Sequence, residues 1–190
     1  MKIRNGFVSN SSSSSFIIAT EWDNKPDVWE LGKFLFPDGK GVSCDYYDEG
    51  VDSFTAASLI HQHIRGPLSV EEIEDTIRSG YFDGYPDDYS PRSDRYQKEY
   101  YRKTNKNIWS EDEKLPEVAE FHRIINEESM EYERKVDEAA KKYFDKVKHI
   151  FENKKAWFIE IGDNHGNLIN GSLEHGNTFR NVPHIVISNH

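Results

Sequence analysis

The sequence has little that would tie the protein to an oxidising compartment or a membrane. Cys44 is the single cysteine among 190 residues, which excludes an intrachain disulfide and a zinc site made only of cysteines, and suits a reducing cytoplasm. No apolar run reaches the length of a secretion signal or a transmembrane helix. We therefore expect a soluble, cytoplasmic protein without a membrane partner.

The chain is also short of positive charge. It has 24 lysines and arginines against 34 acidic residues, a net charge of −10, which disfavours nonspecific binding to nucleic acid or anionic membranes. Residues 92–107 are a local exception, with six basic and two acidic residues interleaved with Tyr96, Tyr100 and Tyr101. Aromatic residues among cations suit single-stranded nucleic acid or a phosphate ligand. The overall charge favours instead a solvated helix whose tyrosines pack on the protein, so we do not expect a nucleic-acid partner.

Familiar catalytic motifs are missing as well. The sequence contains no phosphate-loop lysine motif, no Gly-x-Ser-x-Gly nucleophile elbow and no dinucleotide-binding fingerprint. The aspartates within residues 83–88 lack the spacing of a calcium loop. An enzyme with this sequence would need an unfamiliar active site.

The residues that are present suffice for a core and predict an α+β fold. Aromatic residues make up 13% of the chain and bury a large area each, and the length suits a single domain over residues 1–190. Helical spacing and capping residues predict helices over 27–36, 52–64 and 69–80. Strand composition at 16–20, 156–161, 168–173 and 184–188 predicts a small antiparallel sheet that includes the N-terminal strand.

Five consecutive serines lead into the first of these strands. The run Asn10-Ser11-Ser12-Ser13-Ser14-Ser15 is followed directly by Phe16-Ile17-Ile18. Its composition allows a mobile arm, an extended β-edge, a modification site or an anion-binding nest. For the nest, the candidate ligand-binding residues are Asn10, Ser11, Ser12, Ser13, Ser14 and Ser15.

The N-terminus MKIRNGFVSNSSSSSFII resembles a signature shared by a scattered group of small proteins from tailed bacteriophages and some bacteria. In these proteins a Gly-Phe-Val-Ser-Asn-Ser-run-Phe stretch opens otherwise diverse chains. The resemblance covers about the first 18 residues. It implies a phage-type origin, and with it a host-cell cytoplasm, but no chemistry.

A long amphipathic helix is predicted over residues 111–152. Ser110 and Glu113 form a capping-box pattern, Pro116 suits the first turn, and nothing interrupts the apolar spacing before Glu152. At 1.5 Å per residue such a helix is about 50 Å long, so it protrudes, bends at its polar centre or pairs with another helix. We expect residues 136–150 to dock on the sheet. The preceding half should contact a protein partner or a second copy through Val118, Phe121, Ile124 and Ile125.

Histidines are concentrated near the C-terminus. With one nearby carboxylate they form a candidate set of ligands for a divalent transition metal such as zinc, manganese or iron: Asp163, His165, His175, His184 and His190. Their spacing matches no established ligand geometry. We therefore favour turn histidines with one packed on the sheet, and expect no cofactor.

Two functions remain open. The first is a non-enzymatic, phage-type factor that binds a host or phage protein, in host takeover or regulation. The second is a small metal-dependent or phosphate-handling enzyme built from the C-terminal histidines and the serine run. The absence of known catalytic motifs favours the first.

Overall fold

The computed structural model describes residues 13–44, 47–87, 91–161 and 178–189. The fold is α+β, as predicted. The chain divides into two compact units, one of residues 1–83 with 141–190 and one of residues 84–140. Within the described ranges, no helix is both long and apolar enough to cross a membrane.

The first unit contains a four-stranded antiparallel sheet. Its strands are β1 (Ser13–Thr20), β4 (Ile64–Leu68), β5 (Lys155–Ile161) and β6 (His184–Asn189), in the order β4-β5-β1-β6. The prediction that the N-terminal strand pairs with C-terminal strands is confirmed, because Phe16 lies opposite both Ile159 and Val186. The strand begins earlier than predicted, at Ser13, so part of the serine run is in the sheet.

Two helices cover one face of this sheet. They are α1 (Val28–Leu35) and α2 (Ser53–His63). The alternation of β1 directs Phe16 and Ile18 toward the same cluster as Leu31 and Leu35 of α1. The helices approach closely at Gly32, where an added Cβ would lie 3.4 Å from the Cβ of Ala57.

Edge strand β4 and a small hairpin were not predicted from the sequence. The helical pattern was expected to include Ile64, but α2 ends at His63 and Ile64 pairs with Ile159 instead. The reason is Pro67, which cannot continue a helix and favours extended backbone before it. The hairpin pairs β2 (Val42–Cys44) with β3 (Tyr47–Val51).

The third helix, α3 (Val70–Ser79), follows its sequence signals closely. Ser69 accepts a hydrogen bond from the Glu72 N–H, and the Glu72 carboxylate accepts one from the Ser69 N–H. This reciprocal cap was predicted, and so was the end of the helix at Gly80.

The second unit contains α4 (Pro91–Thr104), a 3-10 turn at Ile108–Ser110 and most of α5 (Pro116–Val147). The predicted capping box at Ser110 is wrong. The Ser110 hydroxyl donates to the Asn107 carbonyl within the 3-10 turn, and α5 begins only at Pro116, whose missing N–H is tolerated in a first turn. After α5, a second 3-10 turn, Lys148–Phe151, contacts β1. The expected docking of residues 136–150 on the sheet is therefore confirmed only at the end of that segment.

A buried cluster between α4 and α5 corrects the predicted partner surface. Val118 and Phe121 are each only 1% exposed and pack with Ile108. Tyr96, Tyr100 and Ile125 pack against this cluster. The expectation that this half of α5 presents Val118 and Phe121 to a partner is therefore wrong, because both side chains are core residues. Ile124 and Ile125 are half-buried.

Candidate functional site

The serine run divides at the edge of the described chain. Asn10, Ser11 and Ser12 lie outside the described residues. Ser13 and Ser14 belong to β1, where they pair with the neighbouring strands. Ser15 is fully buried, so its hydroxyl is inaccessible to an external ligand.

The predicted metal ligands are mostly outside the described residues. This applies to Asp163, His165, His175 and His190. His184 begins β6, its Nδ1 lies 2.9 Å from the Val182 carbonyl oxygen, and its ring lies beside Phe16 and Phe179. The described ranges contain no group of three or more histidine, cysteine, aspartate or glutamate side chains placed to hold a metal. A divalent transition metal at the C-terminal histidines stays a prediction.

The basic and aromatic segment 92–107 forms helix α4 and the chain just after it. Arg92 pairs with Glu127 and Glu128, and Lys106 pairs with Glu111. Two of the three tyrosines pack inward against the cluster of Phe121. This arrangement matches the solvated helix that the sequence favoured.

Exposed aromatic side chains instead mark the beginnings of α1 and α2. Trp29 is 67% exposed and Phe54 is 49% exposed, yet their ring centroids lie 5.1 Å apart. They border a depression of about 160 Å³ that we call the aromatic groove. Its lining residues are Val28, Trp29, Gly32, Lys33, Phe36, Gly39, Ser53 and Phe54.

Two helix caps place these aromatic residues. Asp27 and Glu30 form a reciprocal cap that starts α1, so Trp29 lies in its first turn. Trp29 precedes the buried Leu31 by two positions, about 200° around the helix, and therefore points away from the core.

Asp52 starts α2 in the same way. Its carboxylate accepts hydrogen bonds from the Thr55 hydroxyl at 2.6 Å, the Thr55 N–H at 3.0 Å and the Phe54 N–H at 3.1 Å. The hydrogen bonds from Thr55 hold the pKa of Asp52 below its usual range. Asp52 stays ionised near neutral pH and fixes the backbone that carries Phe54.

A second depression, of about 200 Å³, adjoins the aromatic groove at Phe36. We call it the charged pocket. Its lining residues are Leu35, Phe36, Asp38, Lys40, Gly41, Val42, Arg180 and Asn181. The Asp38 carboxylate accepts the Lys40 N–H at 3.1 Å, and its other oxygen lies 3.7 Å from Nη2 of Arg180.

Glycines shape the turn that separates the two depressions. Gly39 has a φ of +70°, a left-handed conformation that favours glycine. Gly41 lies so close to the neighbouring strand that an added Cβ would be 1.6 Å from the Val51 carbonyl oxygen. The turn from Phe36 to Gly41 therefore depends on glycine at both positions.

The sequence carried one overlooked signal for this site. Trp29 lies outside the apolar spacing of α1, which runs through positions 28, 31, 34 and 35. A tryptophan on the polar side of an amphipathic helix is unusual enough to suggest a contact surface. Arg180 could not have been assigned to the site, because it approaches Asp38 only through the fold.

The chain matches no protein-family profile, no curated protein and no solved structure. What the site can do follows from its chemistry. The aromatic groove offers apolar surface, and the charged pocket offers two cations and one carboxylate beside it. The polar lining includes Lys33 and Ser53 in the groove and Asp38, Lys40 and Arg180 in the pocket, so both depressions offer hydrogen-bonding and ionic contacts beside apolar surface.

Proposed function

We propose that this protein is a non-enzymatic factor that binds a segment of another protein in the aromatic groove. The observation that carries the proposal is the exposed Trp29–Phe54 pair, with ring centroids 5.1 Å apart. Tryptophan is enriched among the residues that dominate binding energy at interfaces. Covering an exposed aromatic pair with a partner removes a large apolar area from water, which is favourable.

The size of the groove favours one side chain as its occupant. Small-molecule sites commonly measure about 300–1,000 Å³, whereas the groove measures about 160 Å³. Gly32 in its lining adds no side chain to the groove. We infer that an aromatic or branched aliphatic side chain of the partner segment inserts beside Trp29 and Phe54.

The lysines that line the two depressions favour acidic residues next to that apolar side chain. Lys33 lines the groove itself, and Lys40 lines the adjoining charged pocket. Both lysines are exposed, so they can meet a partner without losing a buried contact. A role in host takeover or regulation would follow from the phage-type resemblance of the N-terminus.

The proposal is tested with a random heptapeptide display library selected on the immobilised full chain. We expect enrichment of peptides that carry an aromatic or branched aliphatic residue. Trp29→Ala and Phe54→Ala should each abolish this enrichment, because truncating an anchor residue costs about 2 kcal/mol or more, at least a 30-fold loss of affinity. Tyr101→Ala, which removes a 56% exposed aromatic residue elsewhere, is the matched control.

Two results would contradict this function. One is a peptide selection that Trp29→Ala leaves unchanged. The other is a wild-type dimer, detected by sizing chromatography, that Trp29→Ala dissociates, since the groove would then be occupied by a second copy of the chain. Melting curves of the variants confirm that each remains folded.

A further inference from the structure

The geometry points to a specific role for the charged pocket: it binds the side-chain carboxylate of an aspartate or glutamate in the segment whose apolar residue fills the aromatic groove. This inference rests on the proposed function and adds the second recognition element. It is carried by the juxtaposition of Arg180, Lys40 and Asp38 in one depression that shares Phe36 with the groove.

The Arg180 guanidinium can donate hydrogen bonds to a ligand. Its Nη2 lies 3.7 Å from the Asp38 carboxylate, which is an ion pair but too long for a hydrogen bond. A guanidinium carries five N–H donors in a planar fork and binds carboxylates with two parallel hydrogen bonds. The side chain of Arg180 is 53% exposed, so an incoming carboxylate can reach it.

Asp38 is the part of the pocket that selects the ligand's charge. Two cations and one carboxylate leave a local net charge of +1, which one carboxylate neutralises. A phosphate group carries about −1.5 to −2 at neutral pH and would leave the pocket with a net negative charge. The pocket therefore suits an acidic side chain better than a phosphorylated one.

The apolar residues of the pocket strengthen this interaction. Leu35, Phe36 and Val42 are 1%, 6% and 4% exposed, respectively. Buried hydrocarbon beside the ion pair lowers the local dielectric constant, and charge interactions are stronger there than in open water. Because the Arg180 and Asp38 side chains are 53% and 42% exposed, solvent screens part of this gain.

The aromatic groove and the charged pocket lie side by side and can act as one recognition surface. Because Phe36 lines both, a short peptide can place its apolar side chain in the groove and a nearby acidic side chain in the pocket. Holding both groups on one segment makes the second contact effectively intramolecular. A fixed sequence spacing between the two residues should result.

The test uses the same heptapeptide library, selected in parallel on wild-type protein and on Arg180→Gln. Wild type should enrich an acidic residue at a fixed spacing from the apolar residue. Arg180→Gln should keep the apolar enrichment and lose the acidic one. Arg95→Gln, an exposed arginine of α4 with the same charge change, should select the same peptides as wild type.

A double-mutant cycle measures the contact directly with the tightest-binding peptide from the wild-type selection. Changing its acidic residue to the matching amide should weaken binding to wild type about tenfold or more. The same peptide change should have little effect on binding to Arg180→Gln. A peptide with phosphoserine at that position should bind less tightly than the acidic peptide.

The outcomes separate this inference from the proposed function. Apolar enrichment without an acidic preference, or an acidic preference that Arg180→Gln retains, overturns the pocket inference and leaves the groove standing. Tighter binding of the phosphoserine peptide overturns the assignment to a carboxylate. No apolar enrichment on wild type overturns both.

Discussion

At the scale of single residues, Glu128 shows how a distant side chain can do the work of a helix cap. It lies on α5, and its side chain is only 9% exposed. Its two oxygens accept the N–H groups of Arg92 at 2.8 Å and Ser93 at 3.2 Å, in the first turn of α4. These N–H groups have no partner within their own helix, so the carboxylate of α5 satisfies them and holds the two helices together.

The pKa of Glu128 reflects this position. Burial disfavours its charge. The hydrogen bonds from the Ser93 hydroxyl and from the N–H groups of Arg92 and Ser93, together with the charge of Arg92, outweigh burial and lower the pKa below its ordinary 4.5. The ionised carboxylate therefore stabilises the folded state at pH values above its ordinary pKa. That contribution is lost as the pH falls through the lower pKa of the folded state.

We predict that Glu128→Gln lowers the free energy of unfolding by about 1–3 kcal/mol at neutral pH, because a buried charged acceptor is removed. The variant should also lose less stability than wild type on acidification. Urea unfolding at several pH values from about 7 to about 3 measures both effects. Glu133→Gln, an exposed glutamate of the same helix, is the control, and equal acid sensitivity in wild type and Glu128→Gln would contradict the prediction.

The sequence could not assign this role to Glu128. Residues 127–129 read as a polar interruption of the long helix, because the groups that Glu128 binds are 35 and 36 positions away. The same limit applies to the binding site, where Arg180 and Asp38 meet only in the fold. Trp29 is different, since its departure from the apolar spacing of α1 is visible in the sequence.

At the scale of elements, the helices and strands with local sequence signals were predicted well, whereas pairing at the sheet edge and in the hairpin was not predicted. Helices α1 and α3 were predicted close to their observed ends, α1 from its apolar spacing and Pro37 and α3 from its reciprocal cap, because these signals involve only neighbouring residues. The central strand was visible in Phe16-Ile17-Ile18, whose buried composition suits few other structures. Strand β4 and the β2–β3 hairpin were missed because their partners are set by the tertiary fold.

Strand β1 is the element on which the sheet depends most. It hydrogen-bonds to β5 on one side and to β6 on the other. Deleting residues 1–19 should abolish cooperative unfolding, since it exposes both neighbours and removes Ile17 and Ile18, each 0% exposed and each worth about 1.5–3 kcal/mol. Circular dichroism melting checks this. A parallel deletion of residues 1–12 keeps all of β1, and similar melting of the two truncated chains would contradict the prediction.

At the scale of the whole molecule, each compact unit has a hydrophobic cluster of its own. The cluster of Phe16, Leu31 and Trp157 lies within one unit, and the cluster of Ile108, Val118 and Phe121 lies within the other. Removing a side chain from one cluster should therefore destabilise its own unit first. This gives a test of the reassignment of Phe121 from partner surface to core.

We predict that Phe121→Ala destabilises residues 84–140 by about 3–5 kcal/mol, the usual cost of removing a buried phenylalanine side chain. Amide hydrogen exchange should show the largest loss of protection in α4 and in the part of α5 before residue 141. Met130→Ala, which changes a 71% exposed residue of the same helix, should stay within about 0.5 kcal/mol of wild type. If amide protection is unchanged in Phe121→Ala, the assignment of Phe121 to the core is contradicted.

The overall charge sharpens the selectivity expected of the site. A net charge of −10 repels acidic partners in general. An acidic segment binds favourably only where Arg180 and Lys40 contact its acidic residue and the aromatic groove covers its apolar residue. Repulsion elsewhere and attraction at one place together discriminate between partners more strongly than attraction alone.

The position of β1 between β5 and β6 also has a consequence for biosynthesis. Strand β1 leaves the ribosome before its neighbour β6, which is translated about 160 residues later. At about 5–20 residues per second, this takes roughly 10–30 s. Over that interval Phe16, Ile17 and Ile18 have no complete sheet to join, and a nascent chain with such a strand is a natural client for chaperones that shield apolar segments.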